Sequence, residues 1–257
     1  MKGAVIGRSS ATRTVTRGVN WTRGIALLIT VAVLAAGCGG SSAKKEDAVP
    51  GVPEGTRFTA RVDNQWFPLA PGTVLVYRGV KDGKPSRDVV EVTGETKTID
   101  GVPVRVVSDR LYVEGRLAER TTDWYTQDRR GNVWYFGEDT AELDKHGRVT
   151  STEGTWQAGR DGAKPGIFMP AHPKVGDGYR QEYYKGHAED RFEILSVNAA
   201  ARVPAMASKR ALLTKETTPL EPGVGDHKYY VRGIGTVLEQ TVKGGNERNT
   251  LVTVRRS

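Results

Sequence analysis

The sequence predicts an all-β fold, a curved antiparallel meander sheet or half-open barrel of ten to twelve strands with minor helix, and three observations carry that expectation. The first half of the body is punctuated by glycines that follow a polar residue: Asp82-Gly83, Asp100-Gly101, Glu114-Gly115, Arg130-Gly131 and His146-Gly147, spaced 18, 14, 16 and 16 residues apart. Such dipeptides supply the positive φ of tight hairpin turns, and each interval holds one strand plus one turn. The segments between them are rich in Val, Thr, Tyr and Trp, the residues that fit a pleated, half-buried surface. Helical periodicity is thin throughout.

Taken in order, the first strands are expected over Thr73 to Val80, Asp88 to Ile99, Val102 to Val113, Arg116 to Gln127 and Asn132 to Glu138. Glu91, Thr93, Glu95 and Lys97 share one parity of the second, the pattern of a strand with one face to a core and one to water. From Ser151 to Gly178 the rhythm gives way to a segment rich in Gly and Pro. A loop of that length in a compact domain is often functional. Strands resume at Tyr179 to Tyr184, Ala188 to Val197, Ala211 to Thr218, Lys228 to Arg232, Thr236 to Val242 and Arg248 to Val254. Short helical turns are expected near Asp139 to Asp144 and Pro204 to Arg210. A curved or closed sheet gives so many strands the least exposed edge.

Ahead of this body lies a different kind of sequence. Lys2, Arg8, Arg13, Arg17 and Arg23 come with no acidic residue before Cys38, an apolar stretch of thirteen residues runs from Gly24 to Ala36, and Leu34-Ala-Ala-Gly-Cys38 closes it. Thirteen residues fall short of the roughly 20 that span a bilayer as a helix. A basic start, an apolar middle and small residues before a thiol are the parts of an export signal ending in a lipidation site. The stretch resembles a bacterial lipobox. The resemblance implies diacylglycerol on the Cys38 thiol, cleavage between Gly37 and Cys38, and a membrane partner at the outer face of the cytoplasmic membrane. The chain then divides into a signal peptide over 1–37, a flexible tether over 38–56 that opens Gly-Gly-Ser-Ser, and one β-rich domain over 57–257.

Five of the 38 basic residues precede Cys38 and all 30 acidic residues follow it, so the formal charge falls from +8 to +3 when the leader is removed. The basic balance therefore belongs to the export signal and no nucleic-acid partner is expected. One cysteine makes neither a disulfide framework nor a thiolate metal site. No cofactor and no metal are expected.

The densest aromatic cluster straddles the turn Asp128-Arg-Arg-Gly131, with Trp124 and Tyr125 before it and Trp134, Tyr135 and Phe136 after it. A two-residue loop pairs Trp124 with Tyr135, and a three-residue loop shifts the pairing by one. Such pairs stabilise a sheet by about 0.2 to 1 kcal/mol each. They could equally form a platform for a ligand, because adjacent strand residues face opposite ways, and Trp156 joins Trp124, Tyr125, Trp134, Tyr135 and Phe136 in that candidate site. Acids gather at Glu138, Asp139, Glu142 and Asp144, and beside His187 at Glu189, Asp190 and Glu193. A solvated face accounts for these clusters, and paired carboxylates for glycoside hydrolysis are the alternative. The four histidines show no ligand spacing, and neither a nucleophile elbow nor a Walker loop is present. No catalytic residue is assigned.

Three stretches together carry a further resemblance: Asn64-Gln-Trp-Phe-Pro-Leu-Ala-Pro-Gly72-Thr-Val-Leu-Val-Tyr77, Val203-Pro204-Ala205, and Tyr229-Tyr-Val-Arg-Gly233-Ile-Gly235-Thr-Val237. They resemble a loose group of secreted and lipid-anchored bacterial β proteins, with Leu75 where that group has Trp, and Met206-Ala207 where it has Gly and a later Phe. The resemblance implies a curved antiparallel sheet and carries no activity. The expected function is a non-enzymatic, lipid-anchored module for an apolar or extended ligand or an envelope partner. A carbohydrate or cell-wall hydrolase and a purely structural envelope protein are the alternatives.

Overall fold

The computed structural model describes residues 51–256. Cys38, the leader and most of the tether lie outside the described residues. The body consists of β1 (Phe58–Thr59), β2 (Val74–Lys81), β3 (Lys84–Ile99), β4 (Val102–Val113), β5 (Arg116–Asp128), β6 (Val133–Leu143), β7 (Val149–Ser151), β8 (Trp156–Gln157), β9 (Lys164–Met169), β10 (Gly178–Arg180), β11 (Glu182–Tyr183), β12 (Arg191–Val203), β13 (Met206–Thr217), β14 (Gly225–Val231), β15 (Gly235–Lys243) and β16 (Arg248–Arg255). The order across the sheet is β10-β12-β13-β14-β15-β16-β2-β3-β4-β5-β6-β9-β11, antiparallel throughout.

The turns read from the sequence set this order. Asp82, Asp100 and Glu114 each have a positive φ of about 50°, as do the glycines that follow them at 74° to 80°, the conformation of the hairpin turn whose twist matches the strands. The aromatic hairpin uses the longer loop: Asp128 N–H donates to Asn132 O at 3.0 Å, Gly131 has φ 87°, and Tyr125 pairs with Tyr135. Wrapping is completed at one seam. Residues 178–183 pass from β12, which β10 pairs, to β9, which β11 pairs, so the sheet nearly closes into a barrel.

Two expectations are corrected here. The structure has sixteen strands rather than ten to twelve, because short pieces at β1, β7, β8 and β9 take their pairing from long neighbours, and one expected strand splits into β10 and β11. No helix occurs among the described residues. Asp139 to Leu143 continues β6, where Asp139 pairs with Thr122 and Ala141 with Arg120, and Asp144 opens the turn that follows, while Pro204-Ala205 is the turn of the β12–β13 hairpin, with Val203 paired to Met206. The Gly and Pro segment over 151–178 carries β8 and β9 rather than running as a single loop.

Successive hairpin turns of a meander alternate between the two ends of the barrel. One end is plugged. Residues 62–69 fold across it, burying Val62, Trp66, Phe67 and Leu69. Asn64 Nδ2 donates to Gly131 O at 2.8 Å and to Pro170 O at 3.3 Å, and Gly233 N–H donates to Gln65 O at 2.7 Å. Phe67 rests edge-on against Tyr125 with centroids 5.2 Å apart, and Tyr125 stacks on Tyr135 at 4.8 Å. Above this apolar floor the interior is polar: Asp88, Asp109, Glu119, Thr121, Asp123, Glu138, Thr214, Glu216, Lys228 and Glu239 are all buried.

Candidate binding mouth

The other end of the barrel is formed by the turns at residues 81–84, 113–116 and 143–149, the odd members of the five glycine turns. Between them opens a pocket of about 460 Å³ lined by Lys81, Lys84, Glu114, Arg116, Glu142 and Lys145 over an apolar wall that includes Leu111, Val113, Leu117 and Leu143. Glu114 is held by Lys84 at 3.3 Å and by Arg116 at 3.4 Å. Asp144 accepts hydrogen bonds from the backbone N–H of Arg148 at 2.9 Å and of His146 at 2.8 Å. The Arg148 amide is the largest influence on the Asp144 carboxyl and, with the His146 amide and the Arg148 side chain, holds it below its ordinary range against the opposing effect of desolvation.

At the base of the pocket Glu119 is 3 % exposed and lies opposite Glu142 across the β5–β6 ladder. Thr121 Oγ1 is 3.3 Å from Glu119 Oε1 and 2.8 Å from Thr140 Oγ1, so the hydroxyl pair fixes the carboxylate where mouth and interior meet. The mouth lining thus carries both charge signs beside apolar surface. That composition suits an extended amphiphilic ligand with both signs, since charges fix orientation while apolar area supplies affinity.

Below the mouth the polar layer is centred on a buried ion cluster. Lys228 Nζ lies 2.7 Å from Glu216 Oε2 and 3.8 Å from Glu239 Oε1, while Tyr230 Oη donates to Glu216 Oε1 at 3.2 Å and Thr214 Oγ1 does so at 3.3 Å. Burial pulls the Lys228 ammonium down, yet Glu216 and Glu239 overcome this and hold its pKa well above the ordinary lysine value. Burial and the charges of Asp88 and Asp109 push Tyr77 upward, and Tyr135, which donates to Asp123 Oδ1 at 2.6 Å, is raised by burial and by Asp123. Tyr77 and Tyr135 therefore remain neutral donors.

Asp190 belongs to the same layer. Burial, reinforced by Glu216, raises its carboxyl to about 8 from the ordinary 3.8, against the pull of Lys228 and the Thr218 hydroxyl. A folded pKa above the unfolded one means that the protonated form contributes stability fully below about pH 4, and the contribution is lost as pH rises through about 8. Asp190→Asn keeps a neutral group there. It is expected to raise the urea midpoint more at pH 8 than at pH 5, and an equal shift at both would contradict the assignment.

The residues singled out in the sequence lie elsewhere. Trp124, Tyr125, Trp134, Tyr135, Phe136 and Trp156 are all buried, none more than 7 % exposed. Tyr125 and Tyr135 point into the barrel, and Trp156 meets Tyr135 edge-on at 5.5 Å. Trp124, Trp134 and Phe136 face the opposite way by strand alternation. There Lys97 Nζ lies 3.6 Å over the Trp124 ring, and Phe58 packs against Trp134 at 5.9 Å and Phe136 at 5.5 Å. Both faces of this hairpin are covered because β1 and its neighbours add an outer layer. Of the acids, Glu138 is buried opposite Asp123, Asp139 is exposed, and Glu189 lies 3.8 Å from Arg180, so these three do not share one cleft. Among the described residues no group of three or more His, Cys, Asp or Glu is arranged to hold a metal ion.

The mouth residues were missed because each reads singly as a solvated turn residue. The signal was present in the turn series, since every second turn of a meander lands at the same end.

Fold and site together define a plugged, one-mouthed antiparallel β-barrel with a polar interior. No protein family matches the chain, and no curated protein matches it. Among solved structures, a chain from Parabacteroides distasonis ATCC 8503 described as a suspected lipoprotein matches at 12% identity with a TM-score of 0.41, over 75% of this chain and 99% of that one. A likeness of this size leaves the function to be argued from the residues themselves.

Proposed function

We propose that this chain is a lipid-anchored, extracytoplasmic, non-enzymatic binding protein that holds an extended amphiphilic ligand of both charge signs, a short peptide segment being the simplest case, at the mouth of its barrel. The anchor follows from Leu34-Ala-Ala-Gly-Cys38 behind a basic leader and a short apolar stretch. The observation that carries the binding reading is the mouth pocket, which Lys84, Arg116 and Lys145 line together with Glu114, Glu119 and Glu142 over apolar wall. An apolar ligand inside the barrel finds little support: the void beside Phe67, Leu75, Val90 and Tyr125 measures about 10 Å³, about the size of a single water probe.

The test is fluorescence anisotropy on the mature protein in detergent micelles, with zwitterionic tetrapeptides and a fluorescent fatty acid as probes. The peptides are expected to bind. Glu119→Gln and Lys84→Glu are each expected to weaken binding about 10- to 100-fold, the loss for a hydrogen bond to a charged group. Fatty-acid binding without peptide binding would overturn the mouth reading in favour of an apolar site.

A further inference from the structure

The plugged end is also the end at which the chain arrives from Cys38. Phe58 pairs with Asp128, beside the turn that carries Arg129 and Arg130. Arg232 lies 4.2 Å over the Trp66 ring, and Arg256 donates to Gly233 O, the residue whose N–H binds Gln65 of the plug. Lys174 follows in the loop from Pro170, whose carbonyl accepts from Asn64. Arg57, Arg129, Arg130, Lys174, Arg232 and Arg256 are all exposed. The exposed acids at this end are fewer: Glu54, Asp63, which Arg61 pairs at 3.2 Å, Asp100, and Asp161, which follows the exposed Arg160 in the turn whose Gly159 packs against Asp100. At the mouth, by contrast, the two signs alternate.

A flexible chain of nineteen residues, the number in 38–56, would have a root-mean-square reach of about 24 Å, against the roughly 40 Å of a twelve-residue strand. The tether alone leaves the barrel free to tumble over its anchor, with its mouth sometimes against the bilayer. Charges act on an anionic surface only within about a Debye length, about 8 Å at physiological salt, a separation that a tether of this reach lets the basic end enter but does not enforce. We propose that the plugged end is a lipid-facing surface, whose exposed arginines and Lys174 engage anionic phospholipid headgroups and hold the barrel upright with its mouth turned away from the membrane. This rests on the anchored reading given above.

Each basic residue near an anionic surface raises partitioning about fivefold. The experiment uses the mature lipidated protein, a donor dye at the mouth on Lys145→Cys, and vesicles carrying an acceptor headgroup. Flotation is compared on phosphatidylcholine alone and with 30% phosphatidylglycerol, and energy transfer reports the height of the mouth. Phosphatidylglycerol is expected to lower transfer from the mouth. The combination Arg57→Glu, Arg129→Glu, Arg130→Glu and Lys174→Glu, positions chosen away from the plug contacts, is expected to restore it and to reduce the preference for phosphatidylglycerol by ~100-fold or more. Flotation on phosphatidylcholine with transfer indifferent to phosphatidylglycerol would overturn the surface and leave the anchor standing, returning the arginines to an acidic protein partner or to solvent. Flotation on phosphatidylglycerol alone, abolished by the four reversals, would sink the anchor and keep the surface. No flotation on either sinks both.

Discussion

Lys228→Met is expected to destabilise the protein by about 3 to 5 kcal/mol at pH 7, the cost of removing one partner from a buried ionic cluster. Lys228 is 1 % exposed and is the cation between Glu216 and Glu239. Methionine fills the same volume without the charge, so packing changes little while two buried carboxylates lose their counter-ion. Burial raises Glu239 strongly, with Lys228 opposing it, and without the ammonium the Glu239 carboxyl is driven further toward protonation. The loss should therefore be smaller at pH 5 than at pH 7. Adding Glu216→Gln and Glu239→Gln to Lys228→Met is expected to recover most of it, since an uncharged, hydrogen-bonded layer can replace a buried ion cluster at little net cost. Urea unfolding at the two pH values measures all three effects. A loss below about 1 kcal/mol, or one indifferent to the two glutamines, would mean that the cluster is not the electrostatic centre described here.

The second large effect is expected at the seam. A Cβ on Gly166 would stand 2.3 Å from Arg180 O and 2.5 Å from Gln181 O, backbone atoms on the segment that completes the barrel. β9 and β11 share only the pairs Pro165 with Glu182 and Lys164 with Tyr183, so Gly166→Ala cannot be absorbed without prying them apart. Overpacking of this kind costs about 1 to 3 kcal/mol, and local opening should raise amide exchange on both sides of the seam more than elsewhere. Gly94→Ala is the control, since nothing lies within 4 Å of its Cβ position and its φ is unexceptional. Its effect should stay within about 0.5 kcal/mol. Equal losses for the two substitutions, or unchanged exchange at β9 and β11, would show that the seam does not hold the barrel together.

These two sites mark where sequence reading succeeds and where it stops. The meander was legible because the residues that set it are local: Asp82-Gly83, Asp100-Gly101 and Glu114-Gly115 take left-handed backbone wherever they occur. Glu91, Glu95 and Lys97 are exposed while Val90 and Val92 are buried, as their parity implied. The seam was not legible, because β10 and β11 are three- and two-residue pieces whose partners lie across the barrel. Nor was the polar interior. Asp88, Thr121 and Asp123 occupy inward positions, and a strand polar on its inner face reads as a solvated one until the barrel closes over it. The aromatic hairpin misleads in the same way, since an outer layer around Phe58 buries the face that one sheet would leave open. The mouth needed one further step, that turns at 83, 115 and 147 fall together and those at 101 and 131 opposite.

The central claim is that ligand is taken at the polar mouth and not in the apolar floor. Chemical-shift mapping of the isotope-labelled mature protein, titrated first with a zwitterionic tetrapeptide and then with a fatty acid, tests it most directly. The account predicts shifts confined to residues 81–84, 113–119 and 142–150 with the peptide, and none at Phe67, Tyr125 or Phe168 with either probe. Shifts at Tyr125 and Phe168 on adding fatty acid, with the three mouth turns unmoved by peptide, would contradict it.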